Sequence, residues 1–161
     1  MLFFAGLAQA AGTILVWGDS LSAGYGLEKG QDWPTLLQTR LQAEGFRHVV
    51  VNGSVSGETS SGGRTRLPDA LAEHSPTLLI LELGANDGLR GLKPQLLADN
   101  LGAMIDAARD AGARVLLVGM RMPPNYGPDY TERFFGMFKT VATSTKSPLV
   151  PFMLEGVADK P

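Results

Sequence analysis

Three polar segments of the chain contain residue types that are suited to acyl transfer. Ser20, Gly57 and Asn86 each follow a different apolar run of the sequence. A serine hydroxyl held at the end of a strand is a candidate nucleophile. The backbone N–H groups of Ser20 and Gly57 and the side-chain amide of Asn86 can donate hydrogen bonds to the oxyanion that forms during attack on a carbonyl carbon. The combination indicates the chemistry of a serine-dependent hydrolase.

Each of these residues also has a simpler structural interpretation. A serine at the start of a helix is a common N-cap, and a glycine- and serine-rich segment is a common surface loop. The sequence Asn86-Asp87-Gly88 is typical of a turn. Taken singly, none of the three segments identifies an enzyme. Their positions after three successive apolar runs favour one shared site.

The elements that would position these residues alternate along the chain. Continuous apolar runs predict strands at 13–17, 49–51, 78–81, 115–118 and 149–152. Apolar residues at helical spacing predict helices at 33–44, 67–74, 95–111 and 131–143. Such alternation with apolar strands is typical of a parallel sheet covered on both faces. The expected fold is α/β, a flavodoxin-like three-layer α/β/α domain with a five-stranded parallel sheet, whose carboxyl edge binds ligands.

Composition argues against some classes of function but does not assign one. The chain has 161 residues, 14 Lys and Arg, 16 Asp and Glu and no Cys, with a formal net charge of −2. This length fits one domain that folds without disulfides, and the balanced charge argues against nucleic acid as a partner. No apolar stretch approaches the roughly 20 residues of a membrane span, so stable membrane insertion is not expected. The expected partner is a small-molecule substrate, and a monomer is expected to bind it.

The first ten residues resemble the end of a secretory signal peptide. Residues 2–10 form a short apolar run that ends in Ala-Gln-Ala, the pattern of a cleavage site, although the usual positive segment before the run is missing. An N-terminal strand or a cloning remnant is the alternative. We therefore expect residues 1–10 to be a signal-peptide remnant and residues 11–161 to be the folded domain. The expected location is periplasmic or secreted, in a bacterium.

Five segments in the same order resemble the SGNH/GDSL hydrolase family, specifically its bacterial thioesterase I, lysophospholipase L1 and arylesterase group. They are GDSLS at 18–22, NGSVSGET at 52–59, ELGANDGLRG at 82–91, PNYG at 124–127 and PLVPF at 148–152. The resemblance implies the SGNH hydrolase fold and hydrolysis of carboxylic esters or thioesters through an acyl-Ser20 intermediate. It also implies that the Gly57 N–H and the Asn86 side chain complete the oxyanion hole with the Ser20 N–H. No cofactor and no metal are expected.

The family's late Asp-x-x-His motif, which carries the catalytic base, has no counterpart in the sequence. The two histidines, His48 and His74, precede the second and third predicted strands, so they are expected at the amino edge, roughly 16 Å from Ser20. A base must lie within about 3 Å of its nucleophile, or one water away. We therefore expect a chain that is incomplete at its C-terminus, lacks the last helix, exposes apolar sheet surface and is nearly inactive. A non-catalytic binding domain of the same fold is the alternative.

Five further residues are candidates for contact with the substrate. They are the acidic neighbours of the nucleophile and the amide, an apolar residue that begins a candidate mobile lip, and two residues after the fourth strand: Asp19, Asp87, Leu89, Met122 and Pro123. Apolar residues at strand ends line acyl grooves and also pack in the core, so the sequence leaves both roles open. The preferred ester or thioester does not follow from these residues.

Other nucleotide-binding and hydrolase patterns are incomplete in this chain. Gly18, Gly24 and Gly26 lack the G-x-G-x-x-G spacing of dinucleotide-binding folds, and no G-x-x-x-x-G-K-[ST] loop is present. The nucleophile elbow G-x-S-x-G fails because Ser22 occupies the position of its second glycine. A metal-dependent phosphoesterase would need histidine ligands beside Asp19, and the sequence offers none there. A serine hydrolase is the best interpretation.

Overall fold

The described residues, 11–157 of the computed structural model, form one parallel sheet with helices on both faces. The sheet contains β1 (Thr13–Gly18), β2 (Val49–Asn52), β3 (Leu78–Glu82), β4 (Arg114–Val118) and β5 (Leu149–Val150) in the order β2-β1-β3-β4-β5. All neighbouring strands are parallel. This is the flavodoxin-like order, and it confirms the predicted fold class. The predicted signal-peptide remnant, residues 1–10, lies outside the described residues.

Helices and one short 3₁₀ turn connect the strands. They are α1 (Ser20–Ala23), α2 (Trp33–Ala43), α3 (Ser60–His74), α4 (Ala85–Leu89), α5 (Pro94–Asp110), the 3₁₀ turn Pro124–Tyr126 and α6 (Pro128–Thr145). Asp32 caps α2 by accepting a hydrogen bond from the Thr35 N–H at 2.9 Å. Both α5 and α6 begin with proline, which suits a first turn because it has no N–H to leave unsatisfied.

Alternation along the strands sends apolar side chains to both faces of the sheet. Leu15 and Trp17 of β1 belong to the larger core cluster, to which α3, α5 and α6 contribute. Ile14 and Val16 belong to a smaller cluster on the opposite face, and residues of α2 pack against it. Three layers result, because the strands carry apolar residues toward both faces.

The face that α2 covers is only partly closed. An apolar groove of about 660 Å³ lies beside α2, and its lining includes Leu21, Leu36, Leu116 and Val150. Leu36 is 55% exposed and Val150 38% exposed. Apolar side chains of α2 and β5 are therefore accessible on this face.

Several elements differ from the sequence-based prediction for physical reasons. α3 begins at Ser60 and not at residue 67. The prediction misses its first turns because their glycine-rich and polar residues show no apolar periodicity. β5 ends at Val150 and not at residue 152. The next residue, Pro151, has no N–H to donate to a neighbouring strand. The short helices α1 and α4 are missed because four or five residues cannot display a helical period.

The strand register brings the polar segments to one corner of the carboxyl edge. Gly18 at the end of β1 is paired with Glu82 at the end of β3. The Val55 N–H donates to the Gly18 carbonyl at 3.1 Å, so the loop between β2 and α3 runs beside the end of β1. The segments that follow β1, β2 and β3 therefore meet around Gly18, where an open parallel sheet binds its ligands.

Candidate active site

Ser20 is the first residue of α1, immediately after the turn that ends β1. The Asp19 carboxylate caps this helix by accepting a hydrogen bond from the Leu21 N–H at 3.0 Å. The helix ends after one turn at Gly24, whose φ of +75° suits a residue without a Cβ. Ser20 is half-buried, and within residues 11–157 neither its hydroxyl nor its N–H has a hydrogen-bond partner. Both groups are thus available to a ligand.

Gly57 lies in the loop between β2 and α3, which is held in place by two arginines. The Gly57 carbonyl accepts a hydrogen bond from Arg90 Nη2 at 3.1 Å. Arg66 Nε donates to Glu58 Oε2 at 2.6 Å, and its guanidinium lies 4.2 Å from the centre of the Trp17 ring. Gly57 has a φ of +79°, which favours glycine. Its N–H has no acceptor in the described part of the chain.

Asn86 of α4 joins the two segments just described. Its Nδ2 donates to the Glu58 carbonyl at 2.9 Å and to Asp19 Oδ2 at 3.2 Å. Glu58 follows Gly57 in the chain, and Asp19 precedes Ser20. The side chain of Asn86 is therefore bonded to a direct neighbour of each of the other two predicted site residues, and the structure brings all three to one corner.

Asp19 is buried beneath the nucleophile turn. Its burial raises the pKa of the carboxyl above the ordinary value, the hydrogen bonds from Leu21 and Asn86 act in the lowering direction, and the nearby charge of Asp87 raises the pKa further. A carboxylate that is buried and bonded to two neighbours has little reach toward a bound molecule. This placement favours a positioning role for Asp19 over the contact with substrate that the sequence analysis expects.

Asp87 is also buried, at the centre of a polar network. Its carboxylate accepts hydrogen bonds from the Ser60 N–H at 2.8 Å and from the Ser60 hydroxyl at 2.5 Å. Asn100 Nδ2 donates to the same hydroxyl at 2.9 Å, and Arg64 Nη1 donates to the side-chain oxygen Oδ1 of Asn100 at 3.2 Å. The network joins α4 to the start of α3. It favours a positioning role for Asp87 too.

Glu82 is part of this corner and is missed by the sequence analysis as a site residue. Its Oε2 accepts a hydrogen bond from the Ser22 hydroxyl at 2.5 Å. Burial first, and the charge of Asp19 second, raise its pKa to about 8. The one available signal is an acidic residue at the end of an otherwise apolar strand, where charged residues are rarely buried without a partner.

Two of the three apolar candidates for substrate contact are exposed, and one is buried. Leu89 ends α4 and is 51% exposed, and its carbonyl accepts a hydrogen bond from the Tyr126 hydroxyl at 3.0 Å. Pro123 is exposed directly before the 3₁₀ turn that contains Tyr126. Met122 is buried against Gly88. Leu89 and Pro123 therefore offer apolar surface near the corner, whereas Met122 lies beneath it.

Both histidines lie at the amino edge of the sheet. His74 ends α3 and lines a small hollow with Thr13 and Val49, the first residues of β1 and β2. His48 directly precedes β2. The length of β1 separates this edge from Ser20 by roughly 16–20 Å. The structure thus supports the expectation that neither histidine can take a proton from Ser20.

Neither a metal-binding cluster nor a membrane-spanning helix is found in the described range. Within residues 11–157, no three His, Asp or Glu side chains lie together in a way that could hold a metal ion. No helix in that range combines the length and the apolar character needed to cross a bilayer. These two findings concern the described residues only.

Comparison with known proteins identifies the family of the chain. The sequence profile of the GDSL-like Lipase/Acylhydrolase family matches residues 16–161, which is most of the chain. The chain belongs to this family. The match includes Ser20, Gly57 and Asn86. The resemblance drawn from the five sequence segments is confirmed.

Close relatives agree with the family assignment. Esterase TesA of Pseudomonas aeruginosa is 55% identical over 92% of this chain and 74% of the relative. The thioesterase 1/protease 1/lysophospholipase L1 of Escherichia coli K12 is 43% identical over 96% of this chain and 73% of the relative. The crystal structure of AlinE4, an SGNH-hydrolase family esterase, superimposes with a TM-score of 0.90 at 41% identity, covering 95% of this chain and 82% of that one. The GDSL chain is therefore an enzyme of the ester- and thioester-hydrolysing class, with the SGNH hydrolase fold.

Proposed function

We propose that this GDSL hydrolase cleaves small acyl esters or thioesters through a covalent intermediate on Ser20. The observation that carries the proposal is the state of Ser20. Its hydroxyl and its N–H are both without a partner in the described structure, and both belong to the first residue of α1. The Ser20 oxygen attacks the carbonyl carbon, the alcohol or thiol leaves, and water then hydrolyses the acyl-Ser20 ester.

The oxyanion is stabilised by donors from three different loops. The N–H groups of Ser20 and Gly57 are unpartnered in the described residues, so they can bind the oxyanion without losing a hydrogen bond. Asn86 Nδ2 is bonded to the Glu58 carbonyl and, at a longer 3.2 Å, to Asp19. We expect the oxyanion to compete with the Asp19 contact. Donors of this kind act on charge that develops only in the transition state.

Removal of the proton from the Ser20 hydroxyl is expected to be slow in this polypeptide. Because His48 and His74 lie at the opposite edge, the Ser20 proton passes to solvent or buffer and not to a positioned imidazole. A positioned imidazole would also activate the water that hydrolyses the acyl-Ser20 ester. Loss of the base slows both steps. With a p-nitrophenyl ester, whose leaving group departs readily, we expect hydrolysis of the acyl-Ser20 alkyl ester to be the slower step, so that turnover by the 161-residue chain is slow and acyl-Ser20 accumulates. Loss of a triad member typically leaves only about 10³- to 10⁴-fold catalysis over water.

The acyl group is expected to lie over the apolar surface of Leu89 and Pro123, with Met122 forming the floor beneath it. The names of the relatives, an esterase and a thioesterase 1/protease 1/lysophospholipase L1, indicate the substrate classes to test first. We also propose a monomer that acts in the periplasm or outside the cell, in lipid metabolism. The apolar run ending in Ala-Gln-Ala at 8–10 supports that location.

The proposal is tested by hydrolysis of p-nitrophenyl butyrate in the presence of imidazole, which can act as a diffusible base. Imidazole itself cleaves this ester, so the Ser20→Ala variant in the same buffer supplies the background rate. We expect imidazole to raise the rate of the wild-type chain above background, and we expect no such protein-dependent increase in Ser20→Ala, because the diffusible base acts on the Ser20 hydroxyl. Equal rates for both proteins at every imidazole concentration would contradict a nucleophilic Ser20. If the wild-type chain nevertheless bound butyrate esters, the domain would be a binding module.

A further inference from the structure

Glu82 occupies a position that the proposed mechanism does not use. It is the last residue of β3, it is paired in register with Gly18 of β1, and its side chain is fully buried. A carboxyl group in such a position costs stability unless its polar atoms are bonded. Its bonds therefore indicate what its burial achieves.

Those bonds reach both sides of Ser20. Glu82 Oε2 accepts a hydrogen bond from the Ser22 hydroxyl at 2.5 Å and lies 3.4 Å from the Asp19 N–H. The Ser22 hydroxyl in turn accepts a hydrogen bond from Trp33 Nε1 at 3.1 Å. One carboxyl oxygen thus contacts the residue before Ser20 and the residue two positions after it. The turn that presents the nucleophile is tied to the neighbouring strand at both ends.

The glycine that precedes this turn is explained by the same carboxyl group. A Cβ placed on Gly18 would overlap Glu82 Oε2 and would lie 2.7 Å from the Ser22 hydroxyl oxygen. The space above Gly18 is therefore filled by Glu82 and Ser22. No residue with a side chain fits position 18 without displacing one of them, so Gly18 and Glu82 form one unit.

We propose that Glu82 is the positioning residue of the nucleophile, holding Asp19 and Ser22 so that the Ser20 hydroxyl and N–H face the oxyanion corner. The proposal rests on the proposed function of Ser20. Glu82 itself touches neither the substrate nor the reacting atoms. Its effect is on how often the Ser20 oxygen is in a reactive geometry, and misplacement by about 1 Å can cost on the order of 100-fold in rate.

The neutral form of Glu82 is the form that suits this role. Its second oxygen, Oε1, has no hydrogen-bond partner among the described residues. The titratable group that it faces is the buried carboxyl of Asp19, which disfavours a second charge. A glutamine amide has the same shape and can accept the same two hydrogen bonds. Glu82→Gln is therefore the conservative variant, and Glu82→Ala removes the contacts.

The experiment measures the rate at which a fluorophosphonate labels Ser20, followed by intact mass spectrometry at pH 7. At that pH we expect Glu82→Gln to react within about threefold of the wild-type rate and Glu82→Ala about 10- to 100-fold more slowly. Ser22→Ala, which removes one of the two contacts with a smaller change in volume, is expected to fall between them. Glu73→Gln is the matched control, because Glu73 is exposed on α3 at the other end of the sheet.

Each outcome decides the proposal. A Glu82→Ala protein that unfolds cooperatively and is labelled at the wild-type rate would overturn it, because a merely structural carboxyl changes stability and not the reactivity of folded molecules. A Glu82→Gln protein as slow as Glu82→Ala would also overturn it. If Glu82→Ala does not fold, an unchanged rate in Ser22→Ala has the same meaning. Failure of the wild-type chain to be labelled above Ser20→Ala would instead remove the function proposed for Ser20, and this proposal with it.

Discussion

The two edges of the sheet are built from the same strands but are held together differently. At the amino edge, neighbouring segments are joined by backbone hydrogen bonds, such as those from the Thr77 N–H to the Thr13 carbonyl at 2.9 Å and from the Arg114 N–H to the Thr77 carbonyl at 3.0 Å. At the carboxyl edge, polar side chains join the loops, in particular the half-buried Asn86 and the buried Glu82. Among residues 11–157, the buried carboxyl groups, those of Asp19, Glu82 and Asp87, all lie at the carboxyl edge.

At the carboxyl edge, the fold buries carboxyl groups although their desolvation is unfavourable. Backbone bonds close the amino-edge turns without placing a charge in the interior. Buried carboxyl groups are costly to desolvate, and they add little net stability even when they are bonded. Their concentration at one edge is therefore explained by geometry that backbone bonds alone do not provide. The nucleophile, the Gly57 loop and the amide come from three separate loops and must be fixed relative to one another.

Among substitutions at the two edges, Asn86→Ala is expected to lower the rate most. The substitution removes a proposed oxyanion donor and the bond between the Asp19 and Glu58 segments. We expect imidazole-assisted ester hydrolysis to fall about 100- to 1,000-fold. Asn125→Ala, at an exposed position of the 3₁₀ turn, is the control and should leave the rate unchanged. Hydrolysis by Asn86→Ala at the wild-type rate would show that the cross-link has no role in the reaction.

The second effect concerns stability and pH. The pKa of Glu82 is raised to about 8 from an ordinary 4.5, so between these values the unfolded chain loses the proton that the folded chain keeps. The contribution of Glu82 to the free energy of unfolding should therefore be fully present below about pH 4.5 and should be lost as the pH rises toward about 8. In urea unfolding, Glu82→Gln should remove a decrease of roughly 3 kcal/mol between pH 5 and pH 8.

The control for this pH dependence is Glu73→Gln, since that side chain is 75% exposed. We expect its unfolding curve to keep the pH dependence of the wild-type chain. If Glu82→Gln and the wild-type chain showed the same slope of stability against pH, Glu82 would be ionised in the folded protein. The carboxyl edge would then lack the neutral buried acid that distinguishes it from the amino edge.

The smallest effect is expected at the amino edge. His48→Ala and His74→Ala each remove an imidazole that lies the length of a strand away from Ser20. We expect both variants to hydrolyse p-nitrophenyl butyrate within about twofold of the wild-type rate, with and without imidazole, because a base acts only within hydrogen-bond reach. A tenfold loss in either variant would break the functional separation of the two edges.

Much of this arrangement can be predicted from the sequence. The apolar runs indicate the strands and the parallel sheet, and the polar residues after β1, β2 and β3 indicate the edge at which the site forms. Ser20, Gly57 and Asn86 can be named because each belongs to a short segment with a specific residue pattern. The remoteness of the histidines also follows, because each precedes a strand. Local pattern and topology are sufficient for these conclusions.

The supporting residues cannot be predicted in the same way. Nothing in the sequence near Glu82 shows that its carboxyl lies above Gly18, since the two residues are 64 positions apart and are joined only by the strand register. The same holds for Asp87 and Ser60, which look like a turn residue and a loop residue but form a buried pair. The start of α3 is missed because its first turns are stabilised by these tertiary contacts and not by an apolar period.

Trapping the covalent intermediate shows whether Ser20 carries the acyl group. After an incubation long enough for measurable release of p-nitrophenol from p-nitrophenyl butyrate, followed by an acid quench, trypsin should release residues 1–29 as one peptide, because Lys29 is the first Lys or Arg in the chain. We predict that this peptide carries one butyryl group in the wild-type chain and in Ser22→Ala, and none in Ser20→Ala. A butyryl group that persists in Ser20→Ala, or that is found only on other peptides, would contradict the account.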